Sequence, residues 1–176
     1  FAKPNIVVYT ERILNDWIEE DVKIINNCIQ GTLADNFPQV EKNIISSSAD
    51  YVILLFGSED ILKGVDNETF IKKLDKLLQV ALKKKIHPVL LTPPPFSEQI
   101  TIKDYTLEDV QKHQAQLSDL IKKIYSLAEN TPIPLIDLYS FFLENHLLYD
   151  HLFEGWLPYG VTQTAIASFI AREFLN

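Results

Sequence analysis

Cysteine is all but missing from this chain. Cys28 is the only one, so no internal disulfide can brace the fold. It stands beside Asn26 and Asn27, with no neighbouring His or Asp, and reads as a small packing residue rather than a nucleophile. No apolar run approaches the roughly 18 residues a helix needs to span a bilayer, so no membrane span is expected. Glycine is scarce, with 5 residues, and Gly57-Ser58-Glu59-Asp60 is too short for a phosphate-cradling loop. Basic residues are the minority: 16 Lys and Arg against 24 Asp and Glu give a net charge of -8. That argues against a nucleic-acid or anionic-membrane binder, because phosphate needs clustered cations. The one basic run, Lys83-Lys84-Lys85, closes a helical pattern, where cations suit the helix dipole. The 4 histidines do not cluster with carboxylates at metal-ligand spacing, so neither a metal nor another cofactor is expected. Nothing reads as a signal peptide. The chain is expected to be a mature or trimmed form, located in the cytoplasm or at the cell envelope.

What is present is a core and an alternation. Hydrophobic residues make up 47% of 176, enough for one domain over residues 1–176. Ile6 to Tyr9 is a short apolar run, expected as a first strand, with a short helix over 13–19. Val22 to Ile25 is expected as a second strand. A helix over 33–45 follows, with Leu33, Phe37, Val40 and Ile44 on one side. Asp50 to Phe56 is nearly continuous in apolar residues, as in a strand buried on both faces of a parallel sheet. Asn67 is expected to cap a helix running to Lys85. Pro88 to Leu91 is the fourth strand, stopped by Pro93-Pro94-Pro95. Thr106 with Asp109 forms a capping box for a helix to about Ala128. Pro134 to Ile136 is the fifth strand, a helical turn runs through Phe142, and the last helix spans about Tyr159 to Phe174. Alternating strands and helices with right-handed crossovers give a three-layer α/β/α sandwich on a five-stranded parallel sheet.

Five blocks, in order, carry a family resemblance. They are Thr10-Glu11-Arg12 with Trp17, Asn26 to Gly31, Gly57-Ser58-Glu59-Asp60, Ile136-Asp137-Leu138-Tyr139, and Glu154-Gly155-Trp156-Leu157-Pro158 with Gly160. In this pattern the chain resembles the SGNH hydrolases, the GDSL-like lipases and esterases, whose fold is flavodoxin-like. The resemblance implies acyl-ester hydrolysis by a Ser nucleophile and a His base oriented by an Asp, with an oxyanion hole completed by a Gly and an Asn. It also implies a bacterial cell-envelope or carbohydrate setting. Carried over by position, Arg12 stands at the nucleophile, Gly31 at the oxyanion glycine, Glu59 at the oxyanion Asn, Glu154 at the orienting Asp and Leu157 at the base.

The chemistry does not survive these substitutions. A guanidinium stays protonated and attacks nothing. Leu157 has no lone pair. An ionised Glu59 accepts hydrogen bonds and repels an oxyanion. Loss of triad members costs orders of magnitude in rate. The resemblance therefore predicts a pseudoenzyme that binds or supports rather than turns over. Arg12 is expected to pair with Glu59, Glu154 or both, since its fork fits carboxylates. Two alternatives stay open. One is an esterase with relocated chemistry on His151, three residues from Glu154, or on Ser58. The other is an anion-binding module built on Arg12. His87 falls at the start of a strand and His113 on a solvated helix face, while His146 lies in a loop. Asp60 is expected to cap the next turn or to hold the loop, and Asp137 to be structural. The aromatics Phe141, Phe142, Tyr149, Phe153, Trp156 and Tyr159 are expected to pack under the last helix. A sugar or acyl platform, or a protein-partner surface, is the sharper reading of them.

Overall fold

The computed structural model describes residues 6–19, 21–29, 31–96, 106–131, 133–145, 153–154, 157–158 and 160–176; for 153–154, 157–158 and 160–162 it describes the backbone. Three parallel strands form its sheet: β1 (Tyr51–Leu55), β2 (His87–Leu91) and β3 (Leu135–Ile136), in the order β1-β2-β3. Ile53 pairs with Val89, and Leu90 with Leu135. Helices supply the rest: α1 (Ile6–Trp17), α2 (Leu33–Ser46), α3 (Ser58–Leu62), α4 (Asn67–Lys83), α5 (Leu107–Asn130), α6 (Leu138–Glu144) and α7 (Gly160–Leu175). A two-stranded antiparallel pair, β4 (Phe153–Glu154) and β5 (Leu157–Pro158), precedes α7.

Alternate strand residues point to opposite faces, and the two faces carry separate cores. Leu54 and Leu90 join Leu33, Phe37, Phe70, Leu77, Leu120 and Ile124 from α2, α4 and α5. Val89, Leu91 and Ile136 join Leu138, Phe142, Ile166 and Ile170 from α6 and α7. Helices thus lie against both faces. The sheet differs from expectation: three parallel strands, not five, occur among the described residues.

Two physical causes explain the difference. Ile6 to Tyr9, expected as a strand, opens α1. A four-residue apolar run fits either period, and here the i, i+4 spacing decides. Thr10 and Leu14 are buried along one stripe, with Ile6 packed against the α7-side core. The Thr10 hydroxyl donates back to the Ile6 carbonyl at 2.8 Å. Val22 to Ile25, expected as the second strand, has no regular secondary structure. Its backbone is engaged by α1 side chains instead. The Asn15 amide donates to Val22 O at 2.8 Å and accepts from Val22 N–H at 2.7 Å. The Glu11 carboxylate accepts from Ile24 N–H.

Other boundaries follow local chemistry. Asp66, not Asn67, caps α4, accepting from Thr69 N–H at 2.9 Å. Asn67 instead donates to Asp119 at 2.8 Å and to Gln116 O at 3.1 Å, tying α4 to α5. The Thr106–Asp109 capping box opens α5 as expected. Lys85, at φ 61, ends α4 with Lys85 N–H on Leu82 O and Ile86 N–H on Ala81 O, both 3.0 Å.

Pro38 lies inside α2 and cannot donate to Ala34 O, four residues back. Lys73 of α4 fills the gap: its Nζ donates to Ala34 O at 3.0 Å and sits 5.5 Å from the Phe37 ring centre. Lys73→Met should therefore destabilise the fold by about 1 kcal/mol. Pro38→Ala, which restores the missing donor, should stabilise it by about 1–3 kcal/mol. Urea melts of a double-mutant cycle check the coupling: Lys73→Met should cost clearly less in the Pro38→Ala background. Equal costs would mean that Lys73 does not serve that carbonyl.

Candidate functional site

Parallel α/β sheets place their sites beyond the carboxyl ends of the strands. Here those ends are Gly57-Ser58-Glu59-Asp60 after β1, Thr92-Pro93 after β2 and Asp137 after β3. Gly57 turns the chain from β1 into α3 at φ 126 and is buried against Pro93 and Leu120. Ser58 and Glu59 follow it in the first turn of α3, both half-buried.

Asp60 is the best-defined group of this edge. It is 1% exposed. Its carboxylate accepts from Leu33 N–H at 3.0 Å and from Ala34 N–H at 3.3 Å. These are orphan donors in the first turn of α2, so Asp60 clamps the segment after Gly31 to the turn after β1. The Thr32 hydroxyl completes that cap, accepting from Asp35 N–H at 3.0 Å. Burial pushes the Asp60 carboxyl above the usual aspartate range; the two N–H bonds pull it back in part, and Asp35 adds a small upward push.

A second cluster closes the β3 end. Asp137 caps α6, accepting from Ser140 N–H at 3.1 Å. It also accepts from the Thr92 hydroxyl at 3.0 Å and from the Tyr125 hydroxyl. The fully buried Thr92 accepts in turn from Tyr139 N–H at 2.9 Å. Burial pushes the Asp137 carboxyl up, but the bonds from Ser140, Tyr125 and Thr92 carry it below the usual range. Burial and the bond to Asp137 raise the Tyr125 hydroxyl. Nearby, Gln114 donates to the Tyr139 hydroxyl at 2.9 Å and accepts from Phe96 N–H at 2.8 Å. These polar groups satisfy one another and hold the ends of β2 and β3, α5 and α6 in register.

Of the residues expected at the old catalytic positions, the structure describes the side chains of Arg12 and Glu59 and the backbone at Gly31. Arg12 lies mid-way along α1, on its exposed side, because helix replaces the expected strand-to-turn junction. Among the described residues it makes no ion pair, so the expected Arg12–Glu59 pairing does not form; the four bridges present join other residues. Gly31 sits just before the Thr32 cap. Glu154 and Leu157 face each other as backbone partners across the β4–β5 pair, and their side chains lie outside the described residues. His146, His151, Tyr149, Trp156 and Tyr159 also lie outside them. Among the described residues, Ser58 makes no hydrogen bond to an imidazole. His87 stacks near Tyr51 at the amino end of β2, the far end of the sheet, and His113 lies against Phe96 on α5. Cys28 is exposed rather than packed. No group of three or more His, Cys, Asp or Glu side chains among the described residues could hold a metal ion. No helix among them is long and apolar enough to cross a membrane.

Residues 11–160 match the family model of the OSK domain. No curated protein matches the chain. Several solved structures share its fold. The lipase/acylhydrolase from Enterococcus faecalis aligns at a TM-score of 0.81 and 21% identity, covering 96% of this chain and 84% of that one. Axe2, an acetylxylan esterase from Geobacillus stearothermophilus, aligns at 0.75 and 18%, covering 98% and 80%. A member of the lipolytic G-D-S-L family from Veillonella parvula DSM 2008 aligns at 0.70 and 18%, covering 99% and 89%. At these identities the likeness establishes an α/β fold resembling the SGNH hydrolases.

Proposed function

The chain belongs to the OSK domain family, and from that premise we propose that it is a non-catalytic SGNH-like module, a pseudoenzyme over residues 1–176. One observation carries the reading. Arg12, which the sequence blocks carry over to the nucleophile's place, is an exposed arginine within a helix, and among the described residues Ser58 makes no hydrogen bond to an imidazole. Two carboxylates of the carboxyl edge are occupied with structure: Asp60 holds α2, and Asp137 holds α6 and β2. The three-layer α/β/α arrangement is the architecture that the two core clusters support. Because acetylxylan esterases share the fold, an acetylated carbohydrate is the first ligand class to test, with a protein partner as the second. A bacterial cell-envelope setting belongs to the same proposal.

Hydrolysis of short acyl esters and acetylated xylo-oligosaccharides tests the reading. Release of product should not exceed the buffer rate. Turnover that survives Arg12→Ala and vanishes with His151→Ala would replace it with relocated catalysis on His151. The exposure of Arg12, without an ion pair among the described residues, favours a second reading, capture of an anionic group. That reading requires carboxylates or phosphate to raise the melting temperature of the wild type and not of Arg12→Ala.

A further inference from the structure

We draw no further inference here: the strongest candidate, the surface patch of exposed Lys83, Lys84 and Lys85 beside Leu82 at the carboxyl end of α4, carries nothing, because cations at that end of a helix are accounted for by its dipole and nothing in the structure shows what covers them.

Discussion

Asp60→Ala is expected to lower the unfolding free energy by about 2–4 kcal/mol, a large share of the about 5–15 kcal/mol that holds a domain together. The substitution strips an acceptor from Leu33 N–H and Ala34 N–H, leaves a void at a site that is 1% exposed, and removes a negative charge from the positive end of α2. Asp60→Asn should cost less, because one amide oxygen still accepts. The pH dependence has a definite sign. Burial raises the folded-state pKa above that of the unfolded chain. The stability linked to this titration is fully present below the ordinary aspartate pKa and is lost as pH rises through the folded value. The gap between wild type and Asp60→Ala, measured in urea, should thus be wider at acid pH than at pH 7. A gap of under half a kcal/mol would show that the clamp contributes little. Asp137 runs the other way, since its folded-state pKa is depressed; what it contributes is present above the ordinary aspartate pKa and is lost as pH falls through the depressed value.

Gly57→Ala should destabilise the chain by roughly 2–5 kcal/mol, from backbone strain and overpacking together. At φ 126 an alanine is strained whatever the space. Its Cβ would also stand 3.1 Å from both a Leu120 methyl and the Pro93 ring. Neither can retreat easily, because Leu120 is fully buried and Pro93 follows Thr92 at the end of β2. Gly64→Ala separates the two causes. Gly64 has φ 72 and nothing within 4 Å of the added carbon, so that variant should pay strain alone, about 1–2 kcal/mol. Equal melting temperatures for the two variants would mean that the turn after β1 is not close-packed.

The elements best read from sequence are those whose signals are local. Thr106 and Asp109 announced α5, the nearly continuous apolar run from Asp50 to Phe56 announced a strand, and the spacing of Phe70, Leu74, Leu77, Leu78 and Ala81 announced α4. The failures lie where one segment satisfies two periods. Ile6 to Tyr9 is as apolar as a strand, and only the stripe from Ile6 through Thr10 to Leu14, packed on α7, makes it a helix. Val22 to Ile25 has strand composition, yet Asn15 and Glu11 take the backbone groups a neighbouring strand would have needed.

At the site, family blocks located the carboxyl edge of the sheet, because Gly57 and Asp137 do end strands. They did not foretell that Arg12 makes no ion pair among the described residues, since pairing depends on where a helix face points. Nor did they foretell the Asp60 clamp, 26–27 residues away in sequence from its donors, or the contact of Thr92 with Asp137 across 45 residues. The cap of Asp137 on Ser140 was the one part of that cluster within reach of a local pattern.

The proposed function requires that this scaffold carry no activated serine. A fluorophosphonate reagent, which bonds only to a hydroxyl made nucleophilic by an adjacent base, reads that property directly and without knowledge of the substrate. Intact-mass analysis after prolonged exposure should show the unmodified chain. A single phosphonyl adduct, mapped by peptide sequencing to Ser58 and abolished by His151→Ala, would contradict the account.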